Sequence, residues 1–202
     1  MRTEIQELTG FNSVGKWKNK KQILLSHTSR DGGEYVNALK HRFNGEYTKV
    51  PHYLIRKDGR VFQLLDPELY SDYFNKNKKH KQTIVVCLEN LGWLKKNPLN
   101  ASYINWIGNI YKEGVYERKW RGHIFWDPYT DAQMKSVQNL CLDLCDRFDI
   151  PKTCIGHNVK IDGIEQYEGV VTKSNFTSNS TDLSPAFDYE EFLKVLEQNE
   201  PV

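Results

Sequence analysis

Apolar runs bounded by turn residues set the frame of this chain. Ile23-Leu-Leu25 leads into Ser26-His-Thr-Ser29 and reads as a short buried strand running into a polar turn, too short to span a membrane. Thr83 to Glu89 is nearly continuous in apolar residues, which predicts a central strand buried on both faces. Between them, His52–Lys57 and Arg60–Leu65 flank Asp58-Gly59, a strong hairpin signal. Thr153-Cys-Ile155 is a further short strand ahead of Gly156-His157. The pattern changes to helical spacing in three places. Glu34 to Phe43 sets Tyr35, Ala38, Leu39 and Phe43 on one side. Thr130-Asp-Ala-Gln133 is a capping box: the Thr hydroxyl accepts from the third helical amide and the Gln reaches back. It opens a helix whose buried stripe is Met134, Val137, Leu140, Cys141, Leu144 and Phe148, ended by Pro151. Asp188 caps a last helix through about Gln198, with Phe192 and Leu196 inward.

This alternation predicts an α/β fold: one domain over residues 1–202, with its core at about 22–197. A mixed central sheet holds strands near 22–27, 52–57, 60–65, 83–89 and 153–156, and helices at 131–148 and 189–197 flank it. Three stretches carry less pattern. Residues 1–22 are polar and read as irregular, with a short helix at 3–8. Residues 158–180 read as a long polar loop of Gly, Ser, Asn and Thr. Residues 91–128 hold Trp93, Trp106, Trp120 and Trp126 with Tyr103, Tyr111 and Tyr116; this aromatic insertion reads either as the cover of a substrate groove or as a satellite core.

Composition narrows the class. At 202 residues with 39% hydrophobic and 27% charged residues, the chain can bury a sizeable core and is of soluble globular type. A net charge of +2, with both signs mixed, makes no case for nucleic acid or membrane partners. The basic run Lys76, Lys78, Lys79, His80 and Lys81 reads as a solvated loop. The opening Met1-Arg-Thr-Glu-Ile-Gln6 lacks the apolar stretch of a signal peptide, which implies cytoplasmic synthesis. Asn100, Asn175 and Asn179 stand in glycosylation-type triplets that mean little without a secretory route. Cys87, Cys141, Cys145 and Cys154 fit neither a disulfide framework nor a zinc ribbon and read as free, buried thiols. The four-residue spacing of Cys141 and Cys145 admits a shared metal, but core packing explains it better.

The chemistry gathers around two histidines that follow strands, His27 and His157, and one acid, Asp182, in Thr181-Asp-Leu-Ser-Pro-Ala-Phe-Asp188. Two imidazoles and a carboxylate suit a catalytic zinc with one open position, although each residue also has a purely structural reading.

At these residues the chain resembles the type 2 zinc N-acetylmuramoyl-L-alanine amidases, which include phage lysozyme-like amidases, muropeptide amidases and peptidoglycan-recognition proteins. Leu24-Leu-Ser-His-Thr-Ser29 is similar to the family's first-ligand strand, and His52–Gly59 to its hairpin. Ile84–Asn90 is similar to its central strand, and Tyr129–Gln133 to the start of its long helix. Ile155-Gly-His157 and Asp182–Asp188 resemble the second and third ligand motifs. The resemblance implies that His27, His157 and Asp182 hold Zn²⁺. It implies hydrolysis of the amide between N-acetylmuramic acid and L-alanine in peptidoglycan or a muropeptide, by a monomer that acts on the cell wall when released or virion-borne.

The catalytic helpers depart from the family pattern. Pro51 stands where many members carry a Tyr, Cys87 where muropeptide amidases carry a Glu, and Ser180 where active members often carry Lys or Thr. Tyr70-Ser-Asp-Tyr73 replaces a Trp-His-Ala-Gly segment. Glu89, on the same strand face as Cys87, and Ser180 are the remaining catalytic candidates. Two other functions stay open at this point: a zinc-holding but catalytically weak wall-binding or virion protein, and a protein–protein module built on the same fold.

Overall fold

The computed structural model describes residues 3–5, 15–42, 49–73, 81–156 and 159–199. Two sheets are present. The central sheet contains β1 (Thr3–Ile5), β2 (Gln22–His27), β3 (Tyr53–Ile55), β4 (Val61–Gln63), β5 (Thr83–Leu88) and, late in the chain, β11 (Gly169–Thr172). Its spatial order is β1-β4-β3-β5-β2-β11. β3, β5, β2 and β11 all run parallel, so their carboxyl ends open on one side, where ligands bind in open α/β sheets. Only the β3–β4 hairpin is antiparallel within this sheet.

β2 and β5 are buried along their whole length because the sheet is covered on both faces. Ile23, Leu25, Ile84, Val86 and Leu88 point toward α2 (Asp131–Phe148) and α4 (Tyr189–Glu197). Leu24, Val85 and Cys87 point the other way, onto α1 (Gly32–His41). α2 begins with the expected capping box: Thr130 Oγ1 accepts from Gln133 N and Gln133 Oε1 from Thr130 N. The buried Gln133 also donates from Nε2 to Glu89 O at 2.7 Å, tying the helix to the end of β5. The β3–β4 turn docks on the same helix. Gly59, at φ +83°, lies where a Cβ would come within 2.8 Å of Ala132 O, so only glycine fits.

The mixed α/β architecture stands as read from the sequence, with local corrections. Residues 153–156 form no strand; Cys154 makes a single bridge to Val170. The pairing strand is β11, inside the stretch read as a loop, which also holds a 3-10 turn (Ile164–Gln166) and α3 (Lys173–Phe176). Four buried residues, Gly-Val-Val-Thr, are too few to stand out within a polar stretch. Thr3–Ile5 is a strand pairing with β4 rather than a helix; the rest of the expected helix 3–8 lies outside the described residues. α1 starts at Gly32 because Asp31 Oδ1 accepts from Gly33 N and Glu34 N; Phe43 lies outside the described residues, as do positions 76–80 of the basic run. The four thiols are free, with Cys154 only half-buried.

The aromatic insertion folds as a second, antiparallel sheet. It contains β6 (Trp93–Lys96), β7 (Tyr103–Ile104), β8 (Ile110–Tyr111), β9 (Tyr116–Trp120) and β10 (His123–Trp126), in the order β8-β7-β6-β10-β9. Asp127 fixes it to the domain. Its buried carboxylate accepts from Leu91 N (2.7 Å), Lys57 Nζ (2.7 Å) and Tyr111 Oη (3.0 Å). No helix among the described residues is long and apolar enough to cross a membrane.

Candidate metal centre

β2 delivers Ser26 and His27 to the open end of the sheet, and Asp182 meets both. Asp182 Oδ2 accepts from Ser26 Oγ at 2.5 Å and from His27 N at 3.3 Å. Its Oδ1 accepts from Ser180 Oγ at 3.2 Å and lies 3.3 Å from His27 Nε2. Burial alone would raise the Asp182 pKa. The facing His27 and Lys173, with the hydrogen bonds from Ser26 and the His27 amide, outweigh burial and hold it at about 2.

The imidazole of His27 has one nitrogen in use. Nδ1 accepts from Ser29 N at 3.2 Å, with Ser29 Oγ at the same distance. Nε2 is buried and makes no hydrogen bond among the described residues. Gly92 closes over this ring. A Cβ at Gly92 would come within 2.8 Å of His27 Cε1, and its φ of +76° also favours glycine. The insertion adds a second cover: Trp106 Nε1 donates to Ser29 O at 2.6 Å, and Arg30 lies 5.1 Å from the Trp106 ring centre.

An orphaned, buried imidazole nitrogen beside an ionised carboxylate is a donor set that fits a divalent transition metal such as zinc. With a metal on Nε2, Nδ1 would carry the proton and donate to Ser29 Oγ, giving up the bond from Ser29 N, so that Ser29 Oγ would be the outer partner of the metal-bound histidine. Among the described residues no three His, Cys, Asp or Glu side chains cluster at metal-binding spacing. His157, the third expected ligand, lies outside the described residues. Its flanking residues Gly156 and Val159 line the same cleft as Pro185 and Phe187, which follow Asp182.

Ser180 is brought to Asp182, as noted, but Glu89 is not. The Glu89 side chain leaves on the α1 side of the sheet, where Oε2 accepts from Arg56 Nε (2.5 Å) and Lys57 N (3.2 Å). Cys87 is fully buried, with Tyr73 Oη at 3.4 Å and Tyr35 Oη at 3.8 Å from its sulfur.

Two residues at the centre escape sequence reasoning. Lys173 Nζ lies 3.5 Å from Asp182 Oδ2, with its side chain about a third exposed (36%). It gets there because Thr172 of β11 sits in register with Leu25, one residue before Ser26. Recognising β11 as a strand was the only signal that could have found it. The Tyr129 hydroxyl is buried beside Ser184, without a hydrogen bond of ordinary geometry among the described residues. Burial first, and then the Asp182 charge, raise its pKa well above the usual tyrosine value, so it remains a proton donor.

Fold and site together define an α/β domain with a buried His–Asp pair at the carboxyl ends of parallel strands. The chain belongs to the N-acetylmuramoyl-L-alanine amidase family, whose model matches residues 16–169. Solved structures of the same fold include the endolysin amidase LysCS from Clostridium intestinale URNW, at TM-score 0.58 and 14% identity over 97% of this chain and 95% of that one. The Escherichia coli amidase AmiD, in complex with anhydro-N-acetylmuramic acid-L-Ala-D-gamma-Glu-L-Lys, matches at TM-score 0.56 and 15% identity, over 91% of this chain and 60% of that one. Staphylococcus aureus AmiA, a hydrolase in complex with its ligand, matches at TM-score 0.56 and 10% identity, over 98% and 82%. No curated protein matches the chain.

Proposed function

We propose that this protein is a zinc-dependent amidase that cleaves the bond between N-acetylmuramic acid and L-alanine in peptidoglycan or a muropeptide. The observation that carries the reading is the buried His27 Nε2, which makes no hydrogen bond among the described residues and lies 3.3 Å from the ionised Asp182, in a chain of the amidase family. His27, His157 and Asp182 would hold the ion. Bound there, zinc supplies a Lewis acid for the amide carbonyl and acidifies a water.

The chain's own residues have separable tasks. Ser26 and the His27 amide hold Asp182 Oδ2, which leaves Oδ1 directed at His27 Nε2. Lys173, at the rim of the pair, is the cation positioned to meet negative charge on the carbonyl oxygen. It does so from a different element than the Ser180 position, where family members carry Lys or Thr. Ser180 orients Asp182 through its hydroxyl. The Arg56 pairing supports a positioning role for Glu89 in place of proton transfer.

A second reading, a zinc-holding wall-binding module of weak activity, is favoured by the burial of His27, whose side chain is 1% exposed. Three variants separate the two. His27→Ala should lose zinc and cleavage together. Lys173→Ala should keep zinc and lose turnover by about 10²-fold, as removal of one oxyanion donor does elsewhere. Glu89→Gln should keep zinc and lose much less than the ~10²–10⁴-fold that a general base contributes. Zinc bound to the wild type without any cleavage, together with muropeptide binding, would establish the binding module instead.

A further inference from the structure

Among the described residues His27 Nδ1 meets one residue, Ser29, through its N–H and its hydroxyl, both at 3.2 Å. Ser29 stands at φ +56°, in the left-handed region that a serine occupies only where neighbouring contacts hold it. Those contacts come from two sides. On the inner side Thr28 Oγ1 donates to Arg30 O at 2.6 Å and accepts from Asn90 N at 3.2 Å. On the outer side the Ser29 carbonyl accepts from Trp106 Nε1 at 2.6 Å. The Arg30 guanidinium lies over the same indole, 5.1 Å from the ring centre, so one side chain of the insertion grips two successive residues of the turn.

Trp106 is delivered by a turn with little freedom of its own. Asn105 is buried, and its Oδ1 accepts from Ile107 N (3.2 Å) and Asn109 N (2.8 Å). Its backbone closes the loop, N donating to Asn109 O at 3.1 Å and O accepting from Gly108 N at 3.0 Å. Gly108 takes φ +87°, as a glycine can without strain. The indole that this turn presents is 45% exposed, so core packing is not what the turn secures. Its N–H is spent on the residue that holds His27.

We propose that Trp106 is a positioning residue of the metal centre: by fixing the Ser29 carbonyl it keeps Ser29 Oγ at His27 Nδ1, the outer contact for a metal on Nε2. The inference rests on the zinc reading above. Loss of an outer contact of this kind costs about 10–100-fold in metal affinity, and Trp106 acts one residue further out, which puts its share at the low end.

Zinc affinity of the full-length protein, measured by competition with a chromophoric chelator, tests this without requiring cleavage. Trp106→Phe keeps a ring for Arg30 and removes the N–H. It should weaken zinc binding about tenfold and leave the urea midpoint of the metal-free protein unchanged. Ser29→Ala, which removes Oγ, should weaken zinc at least as much. The two effects should not add: once Oγ is gone, Trp106→Phe should change the affinity by less than about twofold. Unchanged zinc affinity in Trp106→Phe, additive losses in the double variant, or a lower metal-free urea midpoint in Trp106→Phe overturns the assignment. The amidase reading fails separately. A zinc affinity that depends on Trp106, without cleavage of a muropeptide, sinks the enzyme and leaves the positioning role. Cleavage with a zinc affinity indifferent to Trp106 does the reverse, and a wild type that takes up no zinc sinks both.

Discussion

His52 is fully buried and uses both ring nitrogens. Nδ1 accepts from Val85 N at 2.9 Å and Nε2 donates to Leu69 O at 3.0 Å. Burial, reinforced by the nearby Lys20 ammonium, lowers its pKa from 6.5 to about 3. The unfolded chain therefore takes up a proton near pH 6.5 that the folded ring refuses until about pH 3. Stability falls as pH drops through that window, by at most on the order of 5 kcal/mol. Urea unfolding at several pH values between 7 and 4 should show this slope, and His52→Gln should flatten it by about one proton while lowering stability at pH 7. An unchanged slope would assign the acid sensitivity elsewhere. In the sequence His52 was legible only as the start of a hairpin strand, since nothing local signals that both nitrogens meet backbone groups. His27 and Asp182 stood out because they follow a strand or sit in a turn of recognisable pattern; Ser180 was singled out only through the family resemblance. Lys173 and Tyr129 were not, because their relation to Asp182 exists only after β11 pairs with β2 and α2 docks.

At the scale of elements, periodicity reads long segments well and short ones poorly. β2, β5, α2 and α4 stand where the apolar pattern predicts, because each buries a continuous stripe or run. The insertion's β7 and β8 have two residues each and β11 has four, too short for any alternation to register. What holds the insertion is a polar hub. Breaking the buried Asp127–Lys57 pair by Asp127→Ala leaves Leu91 N without its acceptor and Tyr111 Oη with only Gly114 O. With Lys57 still 30% exposed, the loss should lie toward the low end of the ~3–5 kcal/mol seen for buried pairs. A urea midpoint shift much below 1 kcal/mol would mean the second sheet contributes little to cooperative unfolding. Thr130→Ala removes the N-cap of α2 and should cost about 1 kcal/mol. It should also loosen the turn at Lys57, whose carbonyl accepts from Thr130 Oγ1 at 2.6 Å.

For the whole molecule, the arrangement gathers His27, Asp182 and Lys173 at one end of the parallel strands. His27 lies under Gly92 and beside Asp182, with Lys173 at the rim. The insertion packs its own aromatic sheet and lines a cleft. If zinc is held as proposed, a chelator should lower the melting temperature, and stoichiometric zinc should restore it. The most direct test of the account is mass spectrometry of a purified muropeptide after incubation with the zinc-loaded protein. The account predicts two new products, a muramic acid saccharide with a free lactyl carboxylate and a peptide with a free L-alanine amino terminus, and neither with His27→Ala. An intact muropeptide after incubation with protein carrying one zinc per chain would contradict it.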